Sequence, residues 1–157
     1  MKFFKEMNEG FQLLSKDSVN RLYENIRTNA RNGGGGGKYK TALQKSGLSE
    51  SEVKKRLNQK KIDSKDRLTI HIQELWVEQK GKCFYTDIKL NEKYLFSGNQ
   101  SVLSPSIDRT DSNIGYEVGN IRIVMRGINR FKNITKDEDF IQILKKTAIS
   151  VVDKYNI

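Results

Sequence analysis

Apolar residues recur at helical spacing in three parts of the chain. Between residues 11 and 31, Leu14, Val19, Leu22 and Ile26 fall on one side of a predicted helix. A second helix is predicted from near Ser64 to Gly81, with Leu68, Ile72, Leu75 and Trp76 on its apolar face. A third, near the C-terminus, carries Phe140, Leu144, Ala148, Val151 and Val152 behind a cap made by Thr135 and Glu138. That last stripe is expected to be buried core. Between the second and third helices, "KCFYTDIKL" (82–90) reads as a strand or turn and 91–104 as polar loop. Ser104–Asp108 and Ile121–Met125 are the strand predictions, joined by the polar segment 110–120 and followed by a short helix. The pattern predicts an α+β fold, a hairpin-helix core flanked by helices.

The stretch between the first two helices behaves differently. Asn32 and the run Gly33–Gly37 end the first helix, and five adjacent glycines lose too much backbone entropy to sit inside an element. They read as a flexible linker. "GGGGGK" resembles a phosphate-cradling loop only superficially, because the G-x-x-x-x-G-K-[ST] spacing and a preceding strand are both missing. Residues 38–61 read as short basic helices, with Ser49 and Glu52 forming a capping box. Lys54, Lys55, Arg56, Lys60, Lys61, Lys65 and Arg67 stand against only Asp63 and Asp66. Such a run is either a solvated helix face or an arm that contacts phosphates. The chain thus divides into a basic helical extension over 1–62 and a second domain over 63–157.

Charge narrows the range of partners. The 157 residues carry 29 Lys+Arg against 19 Asp+Glu, a formal net charge of +10, which favours polyanions. No apolar run approaches the roughly 18–20 residues of a membrane span, and a signal-peptide core is lacking, so no membrane partner is expected. A lone cysteine, Cys83, permits no internal disulfide and fits a reducing, cytoplasmic compartment. A lone histidine, His71, excludes any site built from several imidazoles, and a structural zinc is not expected.

Candidate chemistry concentrates between 104 and 133, where a helix laid across a hairpin can aim strand and helix residues at one point. Asp108, ending the first strand, offers a hard anionic oxygen, and Asn129, early in the helix, offers a carbonyl oxygen. Two such ligands leave Mg²⁺ or Mn²⁺ open positions for water and phosphate oxygens. A cation held there polarises a phosphodiester and stabilises its leaving oxygen. Arg109 and Lys132 would add positive charge where the transition state gathers negative charge.

The stretch "SIDRTDSNIGYEVGN" (106–120), with Asn129 and Lys132 beyond it, resembles the HNH nucleases, also called the ββα-metal fold. Phage-type members read "SLDRIDSSKGY...GN", and "LWVEQKGKCFYTDIKL" (75–90) is similar to their lead-in. The resemblance covers about residues 65–155 and none of the first sixty. It implies that Asp108 and Asn129 hold the metal, Asn120 braces the hairpin loop, and Lys132 is the trailing lysine. It implies a divalent-metal-dependent endonuclease of phage, homing or restriction type acting on double-stranded DNA. Two departures stand out. Met125 and Ile128 occupy the positions of one zinc-binding cysteine pair, and Thr86 replaces the partner of Cys83, so packing must hold the core. Arg109 stands where the family has its general-base histidine, and a guanidinium stays protonated at neutral pH.

Three replacements for that base are open. His71 is the only imidazole. Tyr85 or Tyr116 can serve as tyrosinate or relay if Arg109 lowers its pKa. Otherwise the attacking water loses its proton to solvent or to the substrate phosphate, which Arg109 clamps. Arg122, Arg126 and Arg130 are expected phosphate contacts, as are Lys38, Lys40, Lys54 and Lys55, which would hold duplex backbone. One such site cuts one strand, so double-strand cleavage needs a homodimer on DNA or sequential nicks. The rival readings are a non-catalytic nucleic-acid-binding module on the same fold, and a protein-binding module whose basic surface docks an acidic partner.

Overall fold

Local capping sets where each helix begins. In the computed structural model, which describes residues 12–31, 45, 47–49, 51–52, 61–97, 101–112, 114–133 and 135–156, helix α1 spans Lys16–Arg31. The Ser15 hydroxyl accepts from the Ser18 amide at 3.2 Å, which satisfies one free N–H of the first turn and explains a start later than the apolar pattern alone indicates. Helix α2 spans Lys65–Glu78, with the Ser64 hydroxyl accepting from Arg67 N–H. Past it, Lys80 and Gly81 adopt positive φ and turn the chain back. Ser49 and Glu52 make the expected reciprocal capping box, at 2.9 Å and 3.3 Å. The glycine run Gly33–Gly37 and Lys38, Lys40, Lys54 and Lys55 lie outside the described residues.

Strands β1 (Pro105–Arg109) and β2 (Ile121–Met125) pair antiparallel, with Ile107 opposite Ile123 and Asp108 opposite Arg122. Helix α3 (Arg126–Lys132) follows β2 directly and packs across both strands. Its first two amides donate outside the helix, Arg126 N to Ser104 O and Gly127 N to Val102 O, at 2.9 and 2.7 Å. Among the described residues the chain is therefore mixed α+β, four helices around one two-stranded hairpin. The outer edge of β2 is not left open, because the Gln79 side chain pairs with the Ile123 backbone at both its amide and its carbonyl, 3.0 and 2.7 Å.

Both hairpin faces are covered, so β2 shows continuous burial instead of alternation. Ile107, Ile121 and Ile123 join Leu14, Leu22, Ile26, Leu68, Ile72 and Trp76 in one apolar cluster. Residue 62 is consequently not a break between two cores. The stripe of α1 packs on α2 and the hairpin, and Ile62 bridges to Tyr116.

Helix α4 (Asp137–Tyr155) departs from expectation twice. Its N-cap is Lys136, with no side-chain cap from Thr135. Its stripe is not core: Phe140 is buried, Leu144 half-buried, and Ala148, Val151 and Val152 are exposed. The helix meets the body at its first turns, through Asp137 and through the Phe140 ring against Tyr85 and Phe131. Beyond there the helix runs past the surface that would have covered it.

Candidate functional site

Asp108 and Arg122 face each other across the hairpin, on the side covered by α3. Arg122 donates through Nε to Asp108 Oδ2 at 3.0 Å, and its two terminal nitrogens grip the Asp137 carboxylate at 2.5 and 2.6 Å. Lys132 brings a second cation from α3, with Nζ 3.5 Å from Asp108 Oδ2 and 3.6 Å from Asp137 Oδ1. The Tyr85 hydroxyl donates to Asp137 at 2.8 Å and lies 3.4 Å from Asp108. The Arg122 guanidinium also lies against the rings of Phe84 and Tyr85, with its carbon 4.6 and 4.7 Å from their centroids. Two carboxylates thus balance two cations. This permits the burial, since Asp108 is 5%, Arg122 5% and Lys132 2% exposed.

Burial and the hydrogen bond to Asp137 push the Tyr85 phenol far above its ordinary range. Burial also disfavours the charged form of Asp137, but hydrogen bonds from Arg122 and Tyr85 outweigh it and hold this carboxyl below its usual value. For Arg122, desolvation is likewise overcome by the two aspartates, which raise its pKa.

Asn129 sits on the hairpin-facing side of α3. Its Nδ2 donates to Ile107 O at 3.0 Å and to Ser106 Oγ at 2.9 Å. A backbone carbonyl can only accept, so this bond fixes the amide orientation and leaves Oδ1 as the outward atom. Among the described residues, neither Asn129 Oδ1 nor Asp108 Oδ1 accepts a hydrogen bond. These two oxygens suit a hard divalent cation that keeps water or phosphate oxygens in its other positions. Among the described residues there is no grouping of three His, Cys, Asp or Glu side chains, so such an ion would lean on these oxygens and on solvent.

Arg109, next to Asp108 but on the opposite strand face, has another task. Its Nη1 donates to Ser112 O at 2.7 Å and Ile114 O at 3.0 Å, and its guanidinium lies over the Tyr116 ring. Asn120 closes the same loop. Its Oδ1 accepts from Asp111 N at 2.9 Å, and its Nδ2 donates to Asp111 O and Gly115 O at 3.1 and 2.8 Å. Gly115 is pressed against the Lys61 backbone, where a Cβ would collide with the carbonyl. His71 Nε2 accepts from Gly119 N at 3.3 Å, and Nδ1 lies 3.2 Å from Glu74. This pairing sets a neutral tautomer with the proton on Nδ1.

Several expectations are thereby corrected. Arg109 holds loop carbonyls and does not clamp a phosphate. Arg122 and Lys132 are interior ion-pair partners, not solvent-facing phosphate contacts. The Tyr85 phenol is driven away from tyrosinate, and it meets Arg122 instead of Arg109. Burial raises the Tyr116 pKa as well, outweighing the lowering effect of Arg109. His71 braces the loop before Asn120. Asn120 takes the bracing position expected of it, and Asp108 and Asn129 share one face. Asp137 was missed, because an acid in a first helical turn reads as an ordinary response to the helix dipole. Arg126 and Arg130 remain on the flank of α3, half-exposed and exposed.

The unmatched cysteine is built into the core. Cys83 is fully buried and its Sγ accepts from Met125 N at 3.2 Å, while its own N–H and carbonyl hold the turn to Ile88 and Asp87. No family model, curated protein or solved structure matches the chain.

Proposed function

We propose that this chain is a divalent-metal-dependent nuclease of the ββα-metal kind, acting on phosphodiester bonds of double-stranded DNA. The observation that carries the reading is the convergence of Asp108 from β1 and Asn129 from α3 on one hairpin face, each with a free Oδ1. Mg²⁺ or Mn²⁺ between those oxygens would supply polarisation of the phosphodiester and stabilisation of its leaving oxygen. The side chains do the positioning. Arg122 and Lys132 fix the Asp108 carboxylate by Oδ2 and leave Oδ1 outward. Ser106 and the Ile107 carbonyl orient the Asn129 amide. Arg109, Asn120 and His71 hold the 110–120 loop beside them. Because the cluster is already charge-balanced, a dication gains most when it enters together with the anionic phosphate.

A non-cutting nucleic-acid-binding module is the second reading. It is favoured by the neutralisation of Asp108 and by the engagement of His71 and Tyr85 in structural bonds. Plasmid nicking separates the two. Wild-type protein should nick supercoiled DNA with Mg²⁺ or Mn²⁺ and stop when the metal is chelated. Asp108→Asn and Asn129→Ala should lose at least about a hundredfold in rate, each with circular dichroism to confirm the fold. Absence of nicking by wild type with every divalent metal tried, alongside intact DNA binding, would establish the second reading.

A further inference from the structure

Three arginines from two distant parts of the chain meet on the surface beside the candidate site. Arg126 and Arg130 are one turn apart on α3, at i and i+4, and so share a flank. At 100° per residue that flank adjoins the one carrying Asn129 and Lys132. The third, Arg21, comes from α1, which packs against β1 as α3 does. Burial and the like charges of Arg130 and Arg21 lower the pKa of Arg126. Neither Arg21 nor Arg130 forms an ion pair among the described residues, and both side chains are exposed. Like charges crowded beside a half-buried guanidinium are unfavourable unless an anion offsets them.

We infer that Arg21, Arg126 and Arg130 form a phosphate-backbone clamp for nucleic acid, with α1 as part of the binding surface. The inference rests on the nucleic-acid reading above. Guanidinium forks match phosphate oxygens bidentately, and the +10 net charge adds attraction from a distance. The clamp grips the strand next to the phosphate presented to Asp108 and Asn129, so it holds position without reading bases. It also gives α1, which belongs to the stretch outside the family resemblance, a task at the substrate.

Fluorescence anisotropy on a labelled DNA duplex across a KCl series tests this. Arg21→Gln, Arg126→Gln and Arg130→Gln should each weaken binding about three- to tenfold and reduce the slope of log K against log [salt] by about 0.9 for each phosphate that is no longer neutralised. Lys154→Gln on α4 serves as the charge-matched control, with the slope unchanged. Wild-type affinity and slope in Arg21→Gln would remove α1 from the surface and overturn the clamp. So would an equal effect from Lys154→Gln, which would mark net charge as the cause. If the wild-type protein fails to bind duplex at all, the nucleic-acid reading itself falls, and that outcome is distinct from a normal wild type with a silent Arg21→Gln. Persistence of metal-dependent nicking with a raised KM for DNA in the clamp variants is the expected companion result.

Discussion

Arg122 carries the buried network at the centre of the hairpin, because it alone touches both carboxylates and both flanking rings. Removing one charge from such a network leaves its partner desolvated without compensation, which costs more than the pair contributes when intact. The acid limb of stability should report this through Asp137. Its folded pKa lies below the unfolded value of about 3.9, so it binds fewer protons when folded. Its contribution is therefore present above that value and is lost as pH falls through the folded pKa. Asp137→Asn should lower the urea midpoint at neutral pH, and the gap to wild type should shrink below about pH 4. A gap that stayed constant down to acid unfolding would mean that Asp137 is not the titrating group. Spacing in the sequence made Asp108, Asn120 and Asn129 readable, because each is placed by its own hairpin or helix. Arg109, Arg122 and Lys132 were misassigned because exposure, which decides between a phosphate contact and an interior ion pair, depends on what packs above them.

At the scale of elements, α4 shows how an apolar stripe can mislead. A helix of 19 residues runs about 28 Å at 1.5 Å per residue. The Phe140 ring reaches Tyr85 and Phe131, whereas Val151 and Val152 lie exposed about three turns further on. Phe140→Ala should thus destabilise the protein by about 3–5 kcal/mol through a cavity beside Tyr85. Val152→Ser should stay within about 0.5 kcal/mol, as exposed sites do. Equal losses in thermal denaturation would mean that the far end of α4 is covered in solution. The hairpin shows the opposite case. β2 reads as a strand from its β-branched run, and its burial on both faces comes from α3 on one side and the shared apolar cluster on the other.

For the whole molecule, the described parts share one core that reaches from Leu14 to Val124. Leu22 is fully buried in that core although it lies in the stretch expected to be an extension. Leu22→Ala should cost about 2–5 kcal/mol and should shift unfolding of the hairpin and of α1 together, in one transition by circular dichroism and tryptophan fluorescence. Trp76 is a suitable probe, since its indole donates to Gln12 O at 3.1 Å and so reports the joint between α2 and the segment leading into α1. Two separate transitions would restore the boundary at residue 62. Local chemistry determined the helices, their Ser64 and Ser49 caps, the hairpin strands and the spacing that aligns Asp108, Asn120 and Asn129. These depend on periodicity and on hydrogen bonds between residues a few positions apart, so they are written into short stretches of chain. Tertiary structure alone decided that Arg109 holds a loop, that Asp137 joins Asp108 around Arg122, that α1 belongs to the core, and that Arg21 reaches Arg126. Each of these depends on groups that other parts of the chain bring close, and the free energy of pairing or burying a charge is fixed only by its neighbours in space.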